Sequence, residues 1–206
     1  MVGPILERDF YARDIVTLAR DLLGRVLVRE LPGQRLSGVI VETEAYGGAD
    51  DAGSHAFRGA TRRNRSMFGP PGHAYVYRIY GVHHCLNLVG EGDGRPGAVL
   101  LRALRPLEGL EEMERRRGRH GDGLTNGPGK LCQALAVNLG LDGADLCRGV
   151  DLWLEEGEPV AAPLVTSGPR VGLGADDAAR RRPWRFALQG DAAVSRPRPP
   201  NWRPNR

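Results

Sequence analysis

The chain has 206 residues, with 29 basic and 25 acidic side chains and a formal net charge of +4. This length supports one well-formed core and gives no reason to expect two domains. Lys130 is the only lysine, and arginine binds phosphate oxygens and stacks on bases, so the composition is compatible with a nucleic-acid partner. No stretch approaches the about 18 apolar residues of a membrane span, which excludes a transmembrane-helix class and leaves no membrane partner to expect.

The cysteines give information about the compartment. Cys85, Cys132 and Cys147 are odd in number, far apart and without CxxC spacing. This pattern argues against a disulfide framework and against a structural zinc site. The N-terminal segment carries acidic residues and lacks the apolar region of a signal peptide. We therefore expect buried thiols in a reducing environment, and a cytoplasmic protein.

In chain order, residues 12–23 repeat apolar side chains at helical spacing, and Asp14 can cap this first amphipathic helix. RVLVREL, at 25–31, and GVIVETEAY, at 38–46, alternate as strands. Alternation places one set of the second strand's side chains in the core: Val39, Val41, Thr43 and Ala45. It turns the other set toward a wet surface or cleft: Glu42, Glu44 and Tyr46.

Residues 47–72 lack periodicity and form a loop longer than a compact domain usually tolerates without a functional reason. HAYVYRI then alternates, with Tyr75 and Tyr77 on the face opposite Val76. CLNLVG and AVLLRAL follow as two apolar strands. A tyrosine-glycine pair, Tyr80-Gly81, suits the tip of a hairpin, where an exposed aromatic ring could wedge into a base stack.

Two helices are predicted in the second half, within 108–119 and 127–140, the latter beginning at a Gly-Pro pair. VDLWLEE, PRVGLG and PWRFALQG are predicted strands, and the proline-rich and arginine-rich tail from Ser195 is predicted to be disordered. Strands dominate and helices are irregularly interspersed. The class is therefore α+β (mixed α/β), with one domain over 1–194 and a tail over 195–206.

The carboxylate pair of the ETEAY segment is the first candidate for chemistry. Glu42 and Glu44 share a strand face about 6 to 7 Å apart, and two like charges at a cleft raise at least one pKa, which suits a general base. The alternative is a solvated strand face. The five histidines have no HxxxH or HExxH spacing, so a catalytic metal is not expected.

Together the segments carry a family resemblance. VETEAY, SHAFRG, RRNRSMFGPPGHAYVYRIYG, CLN, AVLLRALRPLEG, NGPGKLCQAL and RVGLG occur in this order. This series resembles the alkyladenine (3-methyladenine) DNA glycosylase family from about the first helix through Leu188. The resemblance implies a curved, largely antiparallel sheet flanked by helices, with a protruding β-hairpin that enters DNA.

The resemblance also implies a reaction. A monomeric enzyme without metal or other cofactor would flip a damaged purine out of double-stranded DNA and hydrolyse its N-glycosidic bond. Glu44 matches the general base that activates the water. Arg102 matches the arginine that helps to hold this water, and the backbone carbonyl of Val171 matches its third contact.

The remaining roles concern the base and the duplex. By resemblance, Tyr46 and His55 form one wall of the base pocket and Tyr77 the other. Asn87 matches the residue that crowds the exocyclic amine of guanine, and Tyr80 matches the hairpin aromatic that fills the gap in the duplex. The family acts on 3-methyladenine and 7-methylguanine. Hypoxanthine and ethenoadenine are neutral, so the leaving base would need protonation or a hydrogen bond.

Three further expectations follow. The chain lacks the long N-terminal extension of eukaryotic members, which suggests a bacterial protein. With Lys130 as its only lysine, it offers no obvious amine for lyase chemistry. Two competing classes remain. A damaged-DNA-binding protein without catalysis would not need Glu44, and a metal-dependent nuclease or hydrolase would be inhibited by EDTA.

Overall fold

A computed structural model describes residues 3–92, 94–121, 123–173 and 177–204 and shows one α+β domain. Its strands are β1 (Val26–Leu31), β2 (Gln34–Tyr46), β3 (Ala74–Ile79), β4 (His83–Val89), β5 (Ala98–Glu108), β6 (Leu152–Glu155), β7 (Val165–Gly168) and β8 (Arg185–Leu188). Its α-helices are α1 (Arg8–Tyr11), α2 (Ile15–Asp21), α3 (Leu110–Arg117), α4 (Pro128–Ala134) and α5 (Asp177–Arg181). The α+β, single-domain prediction is confirmed.

The strands form one curled antiparallel sheet in the order β3-β4-β5-β2-β1-β6. The long strand β2 is its centre: β5 pairs along one edge, while β1 and then β8 share the other. Strand β7 extends the sheet beyond β8. The second half of β2, which carries the ETEAY segment, is therefore enclosed between β5 and β8.

Helix α2 covers the sheet where the sequence predicts it. Asp14 caps the helix by accepting hydrogen bonds from the N–H groups of Val16 and Thr17 at 3.1 and 2.9 Å. Leu18 and Leu22 are fully buried in the main core, and Thr43 of β2 donates to the carbonyl of Ala19 at 2.6 Å. This packing fixes the enclosed half of β2 against the helix.

A bulge at Val41 corrects the predicted alternation of β2. Ile40 pairs with Leu104 and Glu42 pairs with Ala103, so β2 has one extra residue at this point. Val39 and Val41 consequently pack in a separate apolar cluster, whereas Ala45 belongs to the main core. The four residues predicted to share one face therefore divide between two.

The C-terminal segment also differs from the prediction of disorder. Ser195 is 2% exposed, and Trp202 donates its indole N–H to the carbonyl of Leu188 at 3.1 Å. Arg185 donates to the carbonyl of Pro197 at 2.7 Å. Residues 195–204 therefore pack on β8 and belong to the domain. Hydrogen bonds join this segment to the side chain of Arg185 and to the carbonyl of Leu188, both in β8.

The other predicted strands and helices are present, except that one strand is absent and α4 ends at Ala134, short of the predicted end at 140. Residues 169–173 of PRVGLG form a loop after β7, and Gly174 lies outside the described residues. The short helices α1 and α5 were not predicted. Cys85 and Cys132 are buried thiols as expected, whereas Cys147 is only partly buried. None of the described helices is long and apolar enough to cross a membrane.

Candidate active site

A cavity of about 390 Å³ lies beside the ETEAY segment, within the usual range for small-ligand pockets of about 300 to 1,000 Å³. Its walls come from β2, β3, β4 and β5, the long loop between β2 and β3, the start of α4 and the loop after β7. The predicted site residues that line it are Tyr46, His55, Tyr77, Tyr80, Asn87, Arg102 and Val171. Seven of the eight predicted residues thus meet at one cavity.

The eighth, Glu44, lies immediately behind the wall. Its side chain is 0% exposed, and it accepts hydrogen bonds from the Val171 N–H at 2.7 Å, the Tyr46 hydroxyl at 2.8 Å and Arg102 Nη1 at 3.2 Å. All three donors line the cavity. Only one of these bonds uses Oε1, so this oxygen keeps a lone pair for a further donor.

Burial and charge oppose each other at Glu44. Burial raises the pKa of its carboxyl, and the nearby carboxylate of Glu42 adds to this effect. The positive charge of Arg102 and the hydrogen bonds from Val171 and Tyr46 act in the opposite direction, but the pKa remains above its ordinary value. A carboxylate with a raised pKa, close to a cavity, is a suitable general base.

Both glutamates are fully buried, which corrects the alternative of a solvated strand face. Arg102 links them through Nε to Glu42 at 3.0 Å and Nη1 to Glu44 at 3.2 Å. Burial acts to lower the pKa of Arg102, but the two carboxylates outweigh it and the pKa is raised. Arg102 therefore stays charged.

The aromatic residues divide differently from the prediction. His55 lies edge-on to Tyr77, with ring centroids 4.7 Å apart, and its Nδ1 is 2.8 Å from the hydroxyl of Tyr75. Among the described rings, His55 contacts these two tyrosines and not Tyr46. His55 therefore contacts Tyr77 directly, with the two ring planes 74° apart, and the space between these two rings is too small for a base.

The protonation of these rings follows from their surroundings. Desolvation and, to a smaller extent, the charge of Arg63 lower the pKa of His55, so the imidazole is neutral near pH 7. Burial and the charge of Glu44 raise the pKa of Tyr46 well above its ordinary value. Tyr46 is therefore a neutral phenol that donates to Glu44.

A buried ion pair supports Tyr46 from behind. Arg170 lies over the Tyr46 ring, 4.7 Å from its centroid, and binds both oxygens of Asp51 at 2.6 Å. Arg170 also donates to the carbonyl of Ala45 at 2.9 Å. Because Arg170 precedes Val171, this pair connects the ETEAY strand to the residue whose N–H holds Glu44.

Asn87 and Tyr80 occupy opposite ends of the β3-β4 hairpin. Asn87 is 3% exposed and donates to the carbonyl of Tyr75 at 3.0 Å, which fixes its amide at the cavity wall. Tyr80 is 86% exposed at the turn, and its φ of 52° is uncommon for a bulky residue. Strained residues of this kind cluster at functional sites.

The mouth of the cavity is basic. Arg63 lines it, with its guanidinium carbon 5.6 Å from the Tyr77 centroid, and the same loop carries three further exposed arginines. These are Arg58, Arg62 and Arg65. No cluster of three potential metal ligands occurs among the described residues. The surface suits a polyanion.

The residues of the site that the sequence analysis missed include Asp51, Arg170 and Cys85. Asp51 and Arg170 pair across 119 positions, which local patterns do not indicate. Cys85 lines the cavity beside Asn87, and the alternation of CLN could have placed the two on one face.

Comparison with known proteins agrees with this geometry. Residues 9–192 match the family model described as "Methylpurine-DNA glycosylase (MPG)". The chain is 48% identical over 198 residues to a protein of Methanocella arvoryzae, covering 95% of this chain and 98% of the other. It is 50% identical over 194 residues to a protein of Anaeromyxobacter dehalogenans, covering 94% and 87%. Both relatives carry the name "Putative 3-methyladenine DNA glycosylase". The chain belongs to the methylpurine-DNA glycosylase family.

Proposed function

We propose that this protein is a base-excision-repair glycosylase that flips alkylated purines out of double-stranded DNA and hydrolyses their N-glycosidic bond. The principal observation is Glu44, a buried carboxylate with a raised pKa whose three hydrogen-bond donors all line an aromatic cavity. A binding protein would have no use for this costly buried charge. The substrates are 3-methyladenine and 7-methylguanine, and the enzyme acts as a monomer.

The flipped base stacks between Tyr46 on one side and Tyr77 on the other, with His55 edge-on beside Tyr77. Stacking on an aromatic side chain stabilises a base by about 1 to 3 kcal/mol, which offsets part of the unstacking cost. A cationic purine gains further from the electron-rich ring faces. The fixed amide of Asn87 crowds the exocyclic amine of a guanine, which disfavours normal guanine. 7-Methylguanine carries the same amine but is cationic, so its bond to C1′ breaks more readily.

Hydrolysis uses one water at the floor of the cavity, held by Glu44, Arg102 and the carbonyl of Val171. The water oxygen bonds to C1′ of the sugar while the bond between C1′ and the base nitrogen breaks. The bonding electron pair leaves with the purine and neutralises its positive charge, and the water proton passes to Glu44. The products are an abasic site and a free base.

The only lysine does not take part in this chemistry. Lys130 donates to Asn126 at 2.7 Å and is not among the described residues that line the cavity. Since lyase activity needs an amine that attacks C1′, this position supports a monofunctional enzyme that leaves the abasic strand uncut.

The test is release of free base from duplexes that carry 7-methylguanine, 3-methyladenine, hypoxanthine or ethenoadenine, measured with and without EDTA. Wild-type protein should release the two alkylated, cationic bases most rapidly, and Glu44→Gln should release none. Binding of these duplexes without release by wild type would instead indicate a damage-recognition protein. Release that EDTA abolishes would indicate a metal-dependent hydrolase.

A further inference from the structure

The neighbouring glutamate, Glu42, is buried in a different environment from Glu44. Its carboxylate accepts from Arg102 Nε at 3.0 Å, Arg185 Nε at 2.7 Å, and the N–H and hydroxyl of Ser195 at 2.6 and 3.0 Å. It is 0% exposed and is not among the described residues that line the cavity. Glu42 is therefore placed to hold other groups, not to react.

The guanidinium of Arg102 is oriented by three separate acceptors. Nε donates to Glu42, Nη1 to Glu44 at 3.2 Å, and Nη2 to the hydroxyl of Ser195 at 3.3 Å. The Ser195 hydroxyl has one proton, which it donates to Glu42, so it is free to accept from Arg102. Because a guanidinium is planar and rigid, these three contacts set the direction of Nη1.

We propose that Glu42 and Ser195 are positioning residues that aim Arg102 at Glu44 and at the attacking water, and that the C-terminal segment thereby completes the active site. This inference rests on the proposed function. It gives a role to a segment that the sequence pattern marks as a disordered tail.

The buried group contains two acidic and two basic side chains. Arg102 forms ion pairs with Glu42 and Glu44, and Arg185 forms one with Glu42. The ionisable groups that face Glu44 come from every neighbouring element: Glu42 and Tyr46 of β2, Arg102 of β5, Tyr77 of β3, Cys85 of β4 and Arg185 of β8. Of these, Glu42 is the other carboxylate, and its charge opposes ionisation of Glu44. Removing it should therefore ease that ionisation.

The first variant is Ser195→Ala, studied by single-turnover excision of 7-methylguanine. The backbone N–H of residue 195 still bonds Glu42, so the segment stays docked, while Arg102 Nη2 loses its acceptor. We expect the excision rate to fall roughly tenfold, the size expected for one hydrogen bond to a charged group, with duplex affinity little changed and Tm lowered, because buried Arg102 and Glu42 each lose a partner. A rate equal to wild type would overturn the role of Ser195.

The second variant is Glu42→Gln, studied through the pH dependence of the same rate. Loss of the Glu42 charge by itself should lower the pKa of Glu44 and move the acid limb of the profile to lower pH. The positioning of Arg102 should appear separately, as a lower maximal rate above this limb, where Glu44 is ionised in both proteins. A residue that only stabilises the fold would leave this maximal rate unchanged. A maximal rate equal to wild type would therefore overturn the role of Glu42.

The matched control is Asp191→Asn in the same C-terminal region. Asp191 accepts from Arg105 of β5 at 3.0 Å and does not contact Arg102 or Glu42 in the described hydrogen bonds. The Asp191→Asn substitution should lower the free energy of unfolding without changing the excision rate or the acid limb of its pH profile. If wild type excises and Glu44→Gln does not, but both new variants match this control, the inference fails and the proposed function stands.

Discussion

The floor of the cavity, where Glu44 and Arg102 lie, and the tip of the β3-β4 hairpin, where Tyr80 and Val82 lie, differ in almost every physical property. At the floor, Glu44 and Arg102 are buried, and each makes at least three hydrogen bonds. At the tip, Tyr80 and Val82 are 86% and 70% exposed. The floor is therefore held in one arrangement, whereas the tip keeps its apolar surface for an external partner.

Under the proposed function, this difference corresponds to two tasks. Hydrolysis needs charges fixed before the substrate arrives, because preorganised groups need no rearrangement during the reaction. Entry into a duplex needs an exposed wedge, and buried contacts would only compete with it. Changes at the floor should therefore affect the chemical step and stability, and changes at the tip should affect binding to DNA.

The largest expected effect on stability is at the support of the floor. Asp51→Asn breaks the buried pair with Arg170 and leaves a buried charge without its partner, which typically costs about 3 to 5 kcal/mol of unfolding free energy. The neighbouring change Asp50→Asn is the control, because Asp50 is exposed and lies 3.7 Å from Arg182. Urea unfolding should show a large loss for Asp51→Asn and almost none for Asp50→Asn.

The same pair predicts a pH dependence of stability. Burial acts to raise the pKa of Asp51, but the hydrogen bonds from Arg170 and the N–H of Gly47 outweigh it and lower the pKa. A lowered folded-state pKa gives stability that is present above the unfolded value of about 3.9 and is lost as the pH falls through the folded value. The difference between wild type and Asp51→Asn should therefore shrink in acid, and a constant difference would contradict this account.

The next effect is at the cavity wall. Tyr77→Ala removes a ring that stacks on the flipped base and should weaken lesion binding by about 1 to 3 kcal/mol. Tyr77→Phe keeps the ring and serves as the control. Affinity for a 7-methylguanine duplex should fall for alanine and remain close to wild type for phenylalanine. Equal affinities in all three proteins would exclude stacking on Tyr77.

The smallest effect on the protein itself is at the tip. Tyr80→Ala should leave Tm unchanged and weaken binding and excision in duplex DNA by roughly tenfold, the effect of losing about 1.4 kcal/mol. Excision from single-stranded DNA should change little, because no gap needs filling there. Leu139→Ala, at another exposed apolar residue, is the control for surface effects. Equal losses on single and double strands would contradict a wedge.

Local patterns in the sequence predict most of the fold. The Asp14 cap, the strands β1 to β6 and helices α3 and α4 follow from spacing, capping and Gly-Pro signals. The alternation of β3 also places Tyr75 and Tyr77 opposite Val76, as the two apolar clusters confirm. These features depend on residues close together in the chain, which explains why they can be predicted.

The remaining features depend on distant residues. The bulge at Val41 results from the pairing of β2 with β5, the Asp51–Arg170 pair spans 119 positions, and Ser195 meets Glu42 across 153 positions. The grouping of His55 with Tyr77 depends on the path of a long loop. The family resemblance suggested the site residues, but only the folded chain shows how they are supported.

The most direct test compares binding and excision in Glu44→Gln. The account predicts that this variant binds a 7-methylguanine duplex as tightly as wild type but does not release the base. It also predicts that the wild-type single-turnover rate falls as the pH decreases through the raised pKa of Glu44, where the base becomes protonated. Release of the base by Glu44→Gln at the wild-type rate would contradict the central role of this carboxylate.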